Sequence, residues 1–192
     1  MPADFERIYA LFQDKTPLAA DCGSVCGAAC CRDSGEDCGM RLFPGEREYL
    51  AAHWPKDCFR PTRDGGVLLV CDGRCDRRFR PLACRIFPLF PYRETSGRIR
   101  ADYDPRALRL CPLVKLAGRT RLERSFVRTV RRAGRLLTAD RECHRFLREQ
   151  SGQLEEWKRL CGCLYSVDNG LDQVQSGRRV VPDTSRAFRV LK

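Results

Sequence analysis

Apolar positions set out most of the expected elements. Phe5, Ile8, Tyr9 and Phe12 stand at i, i+3, i+4 and i+7, which predicts an amphipathic helix over residues 3–13. A second short helix is expected from Glu46 to Trp54, with Pro44 near its first turn, acids following, and Pro55 ending it. Gly65-Gly66 open a β-like run at Val67-Leu68-Leu69-Val70, and residues 98–103 alternate as a further strand before a turn at Asp104-Pro105. Between these runs, Pro81 is placed to start a short helix. Phe87-Pro88-Leu89-Phe90-Pro91 reads as an extended aromatic segment that walls off a site from water. Beyond residue 119 the period becomes helical again: Leu122, Phe126, Val130, Ala133 and Leu137 share one face. A further helix starts near Asp140 and carries Phe146, Leu147, Leu154, Trp157 and Leu160, with an interruption expected at Ser151-Gly152. The last two form a helical hairpin. The expected fold class is α+β: a small, Cys-rich, loop-rich metal-binding domain over residues 1–118, with short strands. An Arg-rich helical segment (119–164) packs on it, and a polar tail follows (165–192).

Chemistry concentrates in cysteine. The chain has 13 Cys in 192 residues, four of them in Cys22-Gly-Ser-Val-Cys26-Gly-Ala-Ala-Cys30-Cys31. Small neighbours let the backbone bend closely around a bound ion, and a thiolate needs positive charge that Zn²⁺ or iron supplies. The plainer alternative is a run of small buried residues, since free Cys behaves as a small hydrophobe. A helical reading would stack Cys22, Cys26 and Cys30 on one face, although Gly23 and Gly27 weaken it. Neighbouring side chains diverge, so Cys30 and Cys31 are expected to reach different metal atoms, in two sites or one polynuclear cluster.

A second block follows the strand at residues 67–70. Cys71 and Cys75 are spaced as a knuckle with Gly73 available for the turn, Cys84 follows Pro81, and Cys111-Pro112 closes the metal-rich half. The expected ligands are Cys22, Cys26, Cys30, Cys31, Cys71, Cys75, Cys84 and Cys111. Arg80 and Arg85 are expected to donate hydrogen bonds to the sulfurs. Cys38 and Cys58 are left unassigned. Cys143-His144 with Cys161 and Cys163 could form another site, although adjacent helical residues face apart. Glu46 is read as complementing a helix dipole in preference to a ligating or supporting carboxylate, and His53 as a surface residue.

Thirteen is an odd number, and the chain starts without a basic, apolar leader or an 18-residue apolar run. The expected setting is therefore the reducing cytoplasm, with metal ligation in place of a disulfide framework and no membrane partner. The formal charge of +11 overstates the basic excess, because each ligating Cys binds as a thiolate. Seven arginines between residues 119 and 135 most simply make a solvated basic face. Binding to an acidic partner or nucleic acid is the alternative, without a helix-turn-helix or an aromatic RNA platform. Phosphate-loop, dinucleotide and His-Glu-x-x-His motifs are absent from the sequence.

These two blocks, Cys22/Cys26/Cys30/Cys31 and then Cys71, Cys75 and Arg80-Pro81-Leu82-Ala83-Cys84-Arg85-Ile86-Phe87-Pro88, resemble the YkgJ-like cysteine-cluster proteins, the zinc- or iron-chelating CxxCxxCC family. The resemblance covers roughly residues 20–115. The first motif departs from the family pattern as C-x3-C-x3-CC, one residue longer in each gap. The resemblance implies zinc or iron chelation, commonly as an iron–sulfur centre, and some relatives are linked to lysine methylation of flagellin. Three functions remain open on sequence: a metal cluster supporting redox or group transfer, a non-catalytic module held together by zinc, and a basic adaptor. An enzyme of this kind would be an iron-dependent oxidoreductase or a protein-modifying transferase. Eight cysteines exceed the four of one closed zinc site, which favours a polynuclear cluster or two sites; an iron–sulfur cluster or polynuclear iron is the favoured cofactor and zinc the alternative, with a protein or peptide as a conceivable substrate.

Overall fold

The aromatic face of the first helix joins a core whose main contacts are between a two-stranded ribbon and the last two helices. A computed structural model describes residues 2–32, 39–73, 75–115 and 122–160. Helix α1 (Phe5–Ala10) is capped by the Asp4 carboxylate, which accepts from the Arg7 N–H at 2.9 Å, and it buries Phe5, Ile8 and Tyr9. It packs against α3 (Glu46–Leu50), after the short α2 (Cys22–Cys26). Strands β1 (Met40–Arg41), β2 (Phe59–Pro61) and β3 (Val67–Leu69) form an antiparallel sheet in the order β1-β3-β2. A short helix α4 (Leu82–Ile86) then leads into an antiparallel ribbon of β4 (Leu89–Arg93) and β5 (Ile99–Tyr103), with Pro91 opposite Ala101. Single turns α5 (Ala107–Leu110) and α6 (Pro112–Lys115) precede the long helices α7 (Arg124–Leu137) and α8 (Arg141–Leu160).

The fold is α+β with a C-terminal helical hairpin, and the hairpin clasps the β4–β5 ribbon. Gly134 of α7 lies so close to Pro91 and Ile99 that a Cβ there would sit 2.6 and 2.7 Å from their side chains. Those residues share one face of the ribbon, since register pairs Arg93 with Ile99 and Pro91 with Ala101. The alternate face carries Tyr92, Arg100 and Asp102, and α8 covers it: Lys158 Nζ lies 2.9 Å from Asp102 and 4.0 Å from the Tyr92 ring centroid. Arg100 pairs with both Asp102 and Glu155. Helix α8 also reaches the free edge of β4, where Ser151 Oγ accepts from the Arg93 N–H at 2.8 Å. One apolar cluster runs from Phe5 through Tyr92 and Phe126 to Leu154, so the Arg-rich segment shares a core with the residues before it.

Three sequence expectations change. Helix α8 continues unbroken through Ser151-Gly152, because the Ser151 hydroxyl donates to Leu147 O at 2.6 Å inside the helix and accepts from β4 outside it. The helix expected over 46–54 stops at Leu50. Cys22, Cys26 and Cys30 do not stack on one helix, since α2 ends at Gly27 (φ +60°). Among the described residues no helix is long and apolar enough to cross a membrane. Cys38, Cys161, Cys163 and the expected tail lie outside the described residues.

Candidate metal centre

Local chain chemistry positions each thiol-bearing segment, leaving Cys30 exposed, Cys111 buried and the other expected ligands half-buried. Asp21 caps α2 through a 3.3 Å bond from the Gly23 N–H, which fixes Cys22 at the helix start. Gly27 and then Ala28 (φ +53°) both adopt the left-handed conformation, reversing the chain before a 3₁₀ turn at Ala29–Cys31. Two consecutive left-handed residues, one bearing a Cβ, are costly, and this reversal is what keeps Cys30 and Cys31 beside the segment they follow. The Arg32 guanidinium closes it by donating to Cys26 O at 3.3 Å. Strand β3 delivers Cys71, held by the Val70 N–H donating to Cys58 O at 2.8 Å. Gly73 (φ +82°) then passes against the first motif: a Cβ on it would stand 2.4 Å from Cys31 O. Glycine is required there twice over, for its backbone angle and for this approach.

Cys84 owes its position to a buried carboxylate. Glu46 is fully buried and accepts from Tyr9 Oη at 2.6 Å, from the Phe43 N–H at 2.9 Å and from the Leu82 N–H at 2.6 Å. It therefore ties α1, α3 and the first turn of α4, two residues before Cys84. Burial, the largest influence, raises its carboxyl above the usual range, while Tyr9, the two backbone donors and Arg85 pull it back. Glu46 is thus neither a ligand nor simply a dipole partner. The bonds to Tyr9 and Leu82 are long-range and leave no local trace in the sequence.

Arg80 and Arg85 have different tasks. Arg80 Nε donates to Cys75 Sγ at 3.3 Å, as expected. Among the described residues Arg85 does not donate to sulfur: it donates to the carbonyls of Arg80 (2.8 Å), Arg77 (2.7 Å) and Arg78 (2.6 Å), with its guanidinium 4.3 Å from the Tyr9 ring centroid. It shapes the turn that presents Arg80. His53 stacks on Phe79 in the same turn at 3.6 Å, and Trp54 Nε1 donates to Phe79 O at 2.8 Å.

The eight expected sulfurs form one electrostatically connected set. Burial pushes the Cys84 thiol up, and the charges of Cys31, Cys75 and Cys71 push it further while Arg80 opposes them. Cys30 interacts with Cys31, Cys84 and Cys22, and Cys71 with Cys75 and Cys31. Cys22 in turn interacts with Cys26 and Cys111, and Cys111 with Cys26. Nearby backbone N–H groups, Gly73 beside Cys71 and Leu113 and Val114 beside Cys111, favour the thiolate form of each. Such donors stabilise thiolates and tune the metals they hold.

The adjacent pair departs from expectation. Cys30 and Cys31 do not diverge; their Sγ atoms lie 3.9 Å apart. The contact with Cys30, helped by Arg80, holds Cys31 down at about 6, while the same contact raises Cys30. A Zn–S length of about 2.3 Å gives a tetrahedral S···S edge of about 3.8 Å, so the pair is spaced to share one ion as well as to span a cluster.

As they stand, no three His, Cys, Asp or Glu side chains among the described residues are arranged to hold one ion. The fit to a metal lies in the donor set, thiols met by N–H and guanidinium donors, and not in finished coordination geometry. Cys58 stands apart, with Asp57, Asp72 and Arg60 as its charged neighbours. Cys143 is buried and donates to Pro44 O at 3.2 Å, which occupies it in packing. A cleft of about 30 Å³ opens on Cys22 and Cys84, lined also by Phe12, Arg77, Arg80 and Phe87; it has room for little more than water. A larger hollow of about 480 Å³ is lined by α8 residues, among them Arg141, His144 and Arg148, and by no thiol. Comparison with family models, curated proteins and solved structures finds no match to the chain.

Proposed function

We propose that this chain is a thiolate metal protein in which Cys22, Cys26, Cys30, Cys31, Cys71, Cys75, Cys84 and Cys111 hold a polynuclear iron–sulfur centre. The observation that carries the reading is the connected set of sulfurs drawn from four separate stretches of sequence around half-buried Cys84. Four ligands complete one structural zinc site, and eight thiols close enough to influence one another's charge exceed that need. A bound iron–sulfur centre supplies one-electron chemistry. The residues of the chain do the rest: Arg80 and the N–H groups of Gly73, Leu113 and Val114 set the charge felt by the sulfurs, and Glu46 and Arg85 hold the elements that carry them. The water-sized cleft at Cys22 and Cys84 favours electron transfer over group transfer to an organic substrate.

The 3.9 Å spacing of Cys30 and Cys31 favours a second reading, zinc in tetrathiolate sites. Anaerobic purification followed by assay of iron, zinc and acid-labile sulfide separates the two. Brown protein with iron and sulfide supports the cluster, and colourless protein with zinc supports the alternative. Folded protein at full yield with neither metal overturns both.

A further inference from the structure

The arginines of α7 form a feature that the thiol centre does not use. Arg124, Arg128, Arg131, Arg132 and Arg135 all fall within a 100° arc at 100° per residue, along about 17 Å of helix axis. Arg124, Arg128, Arg132 and Arg135 are exposed and make no ion pair among the described residues. The opposite face, Phe126, Val130, Ala133 and Leu137, is buried, so the orientation of the stripe is fixed by the core.

Several cations elsewhere among the described residues are neutralised, although Arg63, Arg141, Arg145 and Arg148 are not among them. Arg41 pairs with Asp64, Arg78 with Asp76, Arg100 with three acids, Arg106 with Asp104, and Arg159 with Glu156. Helix α8 interleaves glutamates with its arginines, whereas α7 has no acidic residue from Arg124 to Leu137. Arg124–Arg128 and Arg128–Arg132 are like-charge pairs at i, i+4, which weaken a helix. Arg124 also stands at the positive end of the helix dipole, where a cation is disfavoured. Solubility alone would be served by mixed charges at lower cost. A row of one sign, made of arginine and without lysine, suits a partner with regularly repeated oxyanions, which guanidinium forks engage in pairs.

We propose that the exposed face of α7 docks along the phosphodiester backbone of a nucleic acid through Arg124, Arg128, Arg132 and Arg135. Among the described residues no base-reading element accompanies the stripe, so binding through it is independent of sequence. This surface stands independently of the metal reading.

Fluorescence anisotropy tests it with the full-length, metal-replete protein and labelled 20-base-pair DNA, 20-base-pair RNA and 20-nucleotide single-stranded RNA. Four phosphate contacts give a log–log salt slope of about −3.6 on duplex DNA and about −2.8 on a single strand. Affinity for DNA should then fall about 150-fold between 50 and 200 mM salt, and for single-stranded RNA about 50-fold. Substituting all four arginines by Gln should weaken binding at least tenfold at 50 mM salt and flatten the slope. A control with Arg63, Arg78, Arg98 and Arg159 changed to Gln, equal in net charge, should stay within about threefold of the parent. Circular dichroism checks that both variants fold; if the α7 variant does not, the Arg128→Gln/Arg132→Gln pair is used, and should lessen the slope by about half. The proposal is overturned by absence of binding at 50 mM salt, by an unchanged slope in the α7 variant, by equal loss in the control, or by equal affinity for polyglutamate.

Discussion

Replacing Glu46 probes the link between the core and the thiol segments without touching a thiol. Glu46→Ala removes the acceptor of three buried donors: Tyr9 Oη, the Phe43 N–H and the Leu82 N–H. Each donor left without an acceptor costs about 1–3 kcal/mol, and hydrogen bonds to a charged group sit toward the upper end. Relief from burying a carboxylate offsets part of this sum, so the expected net loss is about 3–5 kcal/mol. Against the roughly 5–15 kcal/mol available to a domain, that is a large share, and it corresponds to a fall in Tm on the order of 10 °C. Glu46→Gln keeps one acceptor oxygen for Tyr9 and Leu82 but sets an NH₂ against the Phe43 N–H, and should lose about 1–2 kcal/mol. Urea unfolding followed by Trp54 fluorescence and circular dichroism reads both. Freed from Glu46, the first turn of α4 no longer fixes Cys84, so Glu46→Ala should also retain less metal than the parent. A loss below about 1 kcal/mol in Glu46→Ala, with metal content unchanged, would refute the anchoring role.

The same carboxylate predicts a pH effect. Because the folded chain raises Glu46 above its ordinary value, it keeps a proton that the unfolded chain releases. Stability should therefore decline as pH rises from the ordinary carboxylate value through the raised one. Glu46→Gln should remove that decline in a series of urea titrations, and an identical profile in parent and variant would count against it. Gly73→Ala places a Cβ 2.4 Å from Cys31 O at φ +82°, which should cost at least about 2 kcal/mol and lower the bound metal. Full metal occupancy in that variant would show that the two motifs need not touch. Gly134→Ala should lower stability by about 1–2 kcal/mol, because overpacking against Pro91 and Ile99 outweighs the gain in helix propensity; a raised Tm would contradict the close approach of α7 to the ribbon.

Periodicity carried the sequence reading furthest where burial is one-sided. The faces of α1 and α7 were legible because each helix buries one apolar stripe, and the alternation of β5 was legible although both faces of that strand are covered. Strands β1 and β2 were not, since two or three residues are too few for a pattern and are held by pairing with β3. The Ser151-Gly152 position misled for a related reason: a local breaker was overridden by a bond to β4 fifty-eight residues away. At the site, thiol spacing singled out the cysteines, but not how the segments that carry them are held. The carbonyl clamp of Arg85, the reach of Glu46 to Leu82 and the 3.9 Å approach of Cys30 to Cys31 all depend on turns whose direction is set by left-handed residues. Spacing alone does not encode that direction.

X-ray absorption at the edge of whichever metal co-purifies tests the central claim most directly. An all-thiolate centre requires a first shell of sulfur at about 2.3 Å, diminished in Cys84→Ser and unchanged in Cys58→Ser. A shell of nitrogen or oxygen at about 2.0–2.2 Å, or equal metal content in parent and both variants, would contradict it.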